Sequence, residues 1–231
     1  MNKKPNVIVI IPAYNEENSI QKVLADLPAK LISSVIVVNN HSTDKTAAMA
    51  KFGGAIVLDE LRQGYGYACL RGMAHVVEKG LDPDIIVFID ADYSDYPEEL
   101  PLLLQPIIDN RADLVIGSRA LGKRENGSMT MPQLFGNWLA TRLIWLFYRV
   151  RYTDLGPFRA IRWECLQQMK MNDKTYGWTV EMQLKAAKNK LKIEEVPASY
   201  RVRIGYSKIS GTVKGTVMAG YKIITTIFKY L

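Results

Sequence analysis

Cysteine is scarce in this 231-residue chain. Cys69 and Cys165 stand far apart and show no paired-cysteine spacing, which excludes a disulfide scaffold and a structural zinc site. A reduced, cytoplasmic protein is the resulting expectation. Histidine is as rare. His75 falls in a helical pattern and reads as structural, and His41 has no metal-ligand spacing, so neither is expected to be catalytic. No uninterrupted apolar run reaches the roughly 20 residues that a membrane-crossing helix needs. Met1-Asn2-Lys3-Lys4-Pro5 passes straight into a strand pattern, without the profile of a signal peptide. Internal repeats, low-complexity linkers, recognition-helix signatures and stacking-aromatic motifs are all missing, so nucleic acid is not an expected partner.

What is present points elsewhere. A hydrophobic fraction of 48% supports a substantial core, and the formal net charge of +7 favours anionic partners. Acidic clusters lie in the first hundred residues, whereas most Arg and Lys follow Arg111. Strand and helix patterns alternate through the first half, with strands over 7–11, 35–38, 55–58, 85–89 and 114–116. Alternation of this kind predicts an α/β fold with a mostly parallel central sheet and helices on both faces. The second half predicts a helix over 134–150, a turn over 154–159, helices over 162–169 and 178–190, and short strands over 193–196 and 199–202. The chain reads as one domain, 1–231. Residues of about 5–120 form a ligand-binding half, and those of about 121–231 a basic, more amphipathic half.

The most informative residues are Asp90-Ala91-Asp92, which end the apolar run 85–89. Two carboxylates this close repel unless a cation sits between them. Mg²⁺ or Mn²⁺ commonly bridges such carboxylates to substrate phosphates. Ligands of open α/β sheets bind at the carboxyl ends of strands, where the loops converge. The loop after the first strand holds Pro12, Ala13, Tyr14 and Glu16; the next holds Asn39, Asn40 and Ser42; the third holds Gly64 and Gly66. Glycine permits close backbone approach to a ligand. Ser42-Thr43-Asp44 would alternatively cap the following helix, and Asp95-Tyr96-Pro97-Glu98-Glu99 reads as a helix start.

Taken in order, these loops resemble the family 2 glycosyltransferases, which have the GT-A fold. Ile11-Pro12-Ala13-Tyr14-Asn15-Glu16-Glu17 is similar to their opening loop. Val37-Val38-Asn39-Asn40-His41-Ser42-Thr43-Asp44-Lys45-Thr46 resembles their base-binding loop, and Gly64-Tyr65-Gly66-Tyr67-Ala68 their glycine loop. Asp90-Ala91-Asp92 resembles their metal motif. The likeness extends to polyprenyl-phosphate sugar synthases through Ile116-Gly117-Ser118-Arg119, Asp154-Leu155-Gly156-Pro157-Phe158-Arg159-Ala160 and Arg203-Ile204-Gly205-Tyr206-Ser207-Lys208. It spans roughly residues 5–210. The chain departs from the pattern at Asn39, where Asp is usual, and at Ser94, where Gln is frequent.

The resemblance implies an inverting, metal-dependent transfer of a hexose from a nucleotide sugar to a polyprenyl phosphate or similar membrane acceptor. Asp90 and Asp92 would hold Mg²⁺ or Mn²⁺, with Asp92 counted among the catalytic residues. Asn39 can accept from uracil N3–H and donate to O4, which favours a UDP-sugar, UDP-glucose first; GDP-mannose is the alternative. Arg119, Arg201, Arg203, Ser207 and Lys208 are the candidates for an acceptor phosphate, since Arg matches phosphate oxygens bidentately. A hydroxyl acceptor on a glycan or small molecule would need a base, with Glu181 first and Asp154 second. Glu181 would alternatively pair with Lys185 one turn on, and Asp154 with an arginine. The aromatics and arginines of 134–150 suit a helix lying at a membrane surface, which would place the protein peripherally at its inner face; a core or dimer-contact helix is the alternative, and homo-oligomerisation stays open.

Overall fold

The computed structural model describes residues 4–205 and 213–231. Its centre is a seven-stranded sheet. Strands β1 (Val7–Ala13), β2 (Ser34–Asn39), β3 (Ile56–Asp59), β4 (Ile85–Phe88), β5 (Leu114–Ser118), β6 (Arg159–Arg162) and β7 (Ile193–Pro197) run in the order β3-β2-β1-β4-β6-β5-β7. All neighbours pair in parallel except β6, which is antiparallel to both β4 and β5. Every residue of β1 and β4 is buried, as strands covered on both faces require.

Helices α1 (Ile20–Asp26), α2 (Thr46–Phe52), α3 (Tyr65–Glu78), α4 (Leu100–Ile108), α5 (Met131–Tyr148), α6 (Trp163–Met169), α7 (Trp178–Lys188) and α8 (Val213–Lys229) cover the sheet. The strand period of two sends Val7, Val9 and Ile11 to one face, where α1, α2 and α4 supply Val23, Ala50 and Leu103. Ile8 and Ile10 point the other way, into a core completed by Val76 of α3, Ile144 of α5, Trp178 of α7 and Ile227 of α8. Each such side chain, fully buried, contributes about 1.5–3 kcal/mol.

Three sequence expectations need correction. Residues 159–162 form a strand rather than the end of a turn. The run Arg159-Ala160-Ile161-Arg162 looks too charged for the sheet, yet Arg159 is fully buried. Its guanidinium donates to the carbonyls of Leu155, Gly156 and Thr179, so the backbone satisfies the charge. Residues 199–202 are not a strand. Tyr200 makes isolated bridges to Asp95 and Arg124, and the segment instead carries residues 200–204 across the carboxyl edge of β4. Asp95 caps no helix: its carboxylate is buried with both oxygens unpartnered, while a 3₁₀ turn over Pro97–Glu99 leads into α4 without a side-chain cap.

Candidate active site

The carboxyl ends of β1, β2 and β4 and the loop after β3 surround a cavity of about 500 Å³. Pro12, Ala13, Tyr14 and Glu16 form one wall, and Asn40 and Gly64 lie beside them. Asp90 and Asp92 form the floor, and Arg203 reaches in from the 200–204 segment. All of these were expected from sequence. Gln63, Tyr65, Thr175 and Tyr176 also line the cavity and were not singled out there. Thr175 and Tyr176 belong to the link between α6 and α7, a mostly polar stretch whose apolar residues, Met171 and Tyr176, show no strand or helix period.

Polar ties hold the loops together. Asn15 N–H donates to Ser42 Oγ at 3.0 Å, and Asn15 Oδ1 accepts from Thr43 N–H at 2.8 Å. Asn15 and His41 adopt left-handed backbone conformations, φ 54° and 65°, which Asn and His tolerate better than most residues. Asn40 spans to the third loop: its Oδ1 accepts from Gly64 N–H at 2.8 Å and its Nδ2 donates to Arg62 O at 2.7 Å. Ser42 therefore braces a neighbouring loop and does not line the cavity. Asn39 also lies outside the lining. Its Nδ2 donates to Asp59 at 2.8 Å and its Oδ1 accepts from Ser42 N–H at 3.2 Å.

The glycines serve a different purpose from the one expected. A Cβ on Gly66 would stand 2.1 Å from Asp173 O, and one on Gly64 would stand 2.2 Å from Lys174 O. The third loop is thus packed against the 173–174 backbone, which brings Thr175 and Tyr176 to the cavity. Gly66 itself does not line it.

Asp90 is half-buried beside Tyr65, Cys69 and Asp92, and its Oδ1, shielded from solvent, has no hydrogen-bond partner. Burial, then the charge of Asp92, push its carboxyl up to about 7. Asp92 Oδ1 accepts from Ser94 N–H at 2.9 Å and Ser94 Oγ at 2.5 Å, and its Oδ2 meets Arg203 at 3.1 Å. Arg203 bridges onward to Glu16 at 2.7 Å. An orphaned carboxylate oxygen beside a second carboxylate fits Mg²⁺ or Mn²⁺. Among the described residues no three carboxylate, His or Cys side chains group to hold a metal. Such ions are typically held by one or two carboxylates plus substrate phosphates, and that is the donor set available here.

The remaining expected residues are placed elsewhere. Arg119 is tied to Asp154 by two side-chain bonds of 2.7 Å and lies over the Tyr200 ring. This is the arginine-paired alternative for Asp154, and it makes neither residue part of the cavity wall. Arg201 is stacked between Tyr93 and Tyr96, 3.4 and 4.0 Å from their ring centres, and donates to Tyr93 O and Asp95 O. Glu181 is fully buried outside the cavity and pairs with Lys185 at 2.8 Å. Glu181 thus stands apart from the cavity lining and takes the ion-paired alternative, with Lys185 one turn on. Ser207 and Lys208 lie outside the described residues.

The Glycosyl transferase family 2 profile matches residues 8–175, most of the chain. This protein is a family 2 glycosyltransferase. An uncharacterized glycosyltransferase of Mycobacterium tuberculosis is 35% identical over 217 residues, covering 92% of this chain and 94% of its own. The undecaprenyl-phosphate mannosyltransferase of Micrococcus luteus is 33% identical, covering 90% and 89%. Among solved structures, glucosyl-3-phosphoglycerate synthase of M. tuberculosis, in complex with Mn²⁺, UDP-glucose and phosphoglyceric acid, superposes with a TM-score of 0.77. It is 22% identical and covers 98% of this chain and 79% of its own. That likeness bears out the GT-A fold. Family 2 membership makes the protein an enzyme that draws on a nucleotide sugar.

Proposed function

We propose that this glycosyltransferase moves a hexose, with inversion, from a nucleotide sugar to a polyprenyl phosphate at a membrane surface. The observation that carries the proposal is the meeting of Asp90, Asp92 and Arg203 at the floor of a cavity built by four successive loops. Asp90 and Asp92 would hold Mg²⁺ or Mn²⁺ there. A divalent ion so held supplies charge stabilisation to the departing nucleoside diphosphate. Pro12, Ala13, Tyr14 and Gly64 shape the donor pocket. Arg203, anchored by Glu16, presents a guanidinium beside the carboxylates and neutralises phosphate charge.

The position of the two candidate bases away from the wall favours a phosphate acceptor. Asp154 and Glu181, the two candidate bases, both lie outside the cavity lining and are both ion-paired. A phosphate is already anionic and attacks without deprotonation, so positioning and charge neutralisation suffice. The names of the M. luteus relative and of a 29% identical UDP-N-acetylglucosamine–dolichyl-phosphate N-acetylglucosaminyltransferase of Methanococcus voltae support the same acceptor class.

A UDP-sugar, UDP-glucose first, is the proposed donor. After serving Asp59 and Ser42, the Asn39 amide keeps one N–H and one lone pair, enough for uracil N3–H and O4. Asp59 beside it favours a second reading: a carboxylate can accept both adjacent donors of guanine, as GDP-mannose would require. Membrane contact is assigned to α5 and α8. Phe135, Trp138 and Leu146 are exposed on α5 and Met218 and Tyr221 on α8, with Arg142, Arg149 and Lys222 among them. Among the described residues no helix is long and apolar enough to cross a membrane. Calorimetry with UDP-glucose, UDP-galactose, UDP-GlcNAc and GDP-mannose, each with Mn²⁺ and with chelator, tests the donor. Metal-dependent binding of one of them, lost in Asp92→Ala, is expected; metal-independent binding would overturn the proposed role of Asp90 and Asp92.

A further inference from the structure

The carboxylate of Glu181 has a dense set of partners for a residue outside the cavity. It accepts from the backbone N–H of Asn172 at 3.0 Å and of Asp173 at 2.6 Å, and from the hydroxyl of Tyr230 at 2.5 Å. Lys185 completes the set at 2.8 Å. Asp173, held in this way, repeats the pattern. Its Oδ1 accepts from Thr175 N–H at 2.8 Å and Gly177 N–H at 3.1 Å, while its Oδ2 pairs with Lys222 of α8 at 2.9 Å.

The segment so fixed is the one that builds the fourth side of the cavity. Its carbonyls at Asp173 and Lys174 fill the space that a Cβ on Gly66 or Gly64 would need. Lys174 O accepts from Tyr67 N–H at 3.0 Å, at the start of α3. Thr175 and Tyr176 then face the cavity directly. One buried carboxylate thus connects three parts of the molecule: α8 with the chain end beyond it, the 172–177 link and the glycine loop. Lys222 of α8 and Tyr230, just beyond its end, supply the polar contacts on that side.

We infer that Glu181 is a positioning residue that fixes the 172–176 wall of the donor cavity and ties it to the C-terminal helix α8. It acts on donor binding through this wall and not by taking a proton from the acceptor. The inference rests on the assignment of the cavity as the nucleotide-sugar site. It also makes α8, whose outer face is apolar and exposed, an element whose seating sets the shape of that site.

The test uses the full chain with Glu181→Gln and Tyr230→Phe, both near-isosteric. UDP-glucose and GDP-mannose, each with Mn²⁺, serve as the probes, and the one bound by the unsubstituted protein is carried forward. Glu181→Gln puts an amide N–H against the Asn172 and Asp173 donors, so its donor Kd is expected to rise about tenfold, equivalent to about 1.4 kcal/mol. Tyr230→Phe is expected to move Kd in the same direction by less. Saturated kcat falls by less than about threefold in both, and the pH dependence of kcat keeps its shape. A kcat loss of about 100-fold with Kd unchanged, or loss of the acid limb of the pH profile, would overturn the inference in favour of a base. So would an unchanged Kd in both folded variants. Should the unsubstituted protein bind neither probe, the donor assignment fails separately. Amide hydrogen exchange then decides the tie: faster exchange at 172–176 and 64–67 in both variants supports it, and unchanged exchange overturns it.

Discussion

Asp90→Asn is expected to stabilise the metal-free protein strongly at neutral pH and hardly at all in acid. Burial and the neighbouring Asp92 raise the Asp90 carboxyl from 3.8 to about 7. The folded protein therefore binds this proton more tightly than the unfolded chain does. Its stabilising effect is complete below 3.8, declines as the pH rises, and levels off above about 7. At about 1.36 kcal/mol per pKa unit, the ionised Asp90 lowers stability by about 4 kcal/mol at pH 7.5. Asn carries no charge, so Asp90→Asn regains that amount there and less than about 1 kcal/mol at pH 4. For a chain of this size the gain corresponds to a Tm increase of about 8–16 °C at pH 7.5. The assay is thermal unfolding of both proteins from pH 4 to pH 8 with chelator, repeated with excess Mn²⁺. The ion should raise the Tm of the unsubstituted protein, by mass action on the folded state, and leave that of Asp90→Asn nearly unmoved. A variant that melts no higher than the parent at pH 7.5, or whose gain is the same at pH 4, would refute the reasoning.

Other perturbations have equally definite outcomes. Arg203→Met removes the cation shared by Glu16 and Asp92; turnover with a lipid-phosphate acceptor should fall by about 100-fold, while Mn²⁺ binding without nucleotide, counted by electron paramagnetic resonance, should tighten. Asp154→Ala strands a guanidinium whose side chain is only 11% exposed, and chemical denaturation should show a loss of about 3–5 kcal/mol. Gly66→Ala forces a methyl against Asp173 O and should weaken donor binding; unchanged affinity would contradict the packing account. Phe135→Ser with Trp138→Ser should abolish sedimentation with anionic liposomes at low salt, and unchanged sedimentation would remove α5 from the membrane face.

Much of this architecture was legible in the residue pattern. Strands β1, β2, β4 and β5 are apolar runs buried on both faces, and their polar loops meet at one edge because the sheet is parallel. Asp90 and Asp92 stood out because two carboxylates closing such a run need a cation. Strand β6 was not legible, since the carbonyls that accept from Arg159 come from residues 155, 156 and 179. Partnerships across the chain were hidden for the same reason. Arg119 and Asp154, 35 positions apart in sequence, looked like separate functional residues until the fold joined them in one ion pair. Gly64 and Gly66 looked like space left for a ligand, whereas the 173–174 backbone occupies it. The cavity wall at Thr175 and Tyr176 carries no periodicity, and the hydrogen bonds that hold it run to Glu181, Asp173 and Tyr67, partners that no local pattern reveals.

The measurement that bears most directly on the central claim is transfer itself. Purified protein, undecaprenyl phosphate in mixed micelles, Mn²⁺ and either UDP-glucose or GDP-mannose would be incubated and the lipids resolved by mass spectrometry. A hexosyl-phosphate lipid formed from one donor, absent with chelator and absent in Asp92→Asn, is the expected result. Hexose appearing only on hydroxyl acceptors, or a lipid product whose yield ignores both chelator and Asp92→Asn, would contradict it.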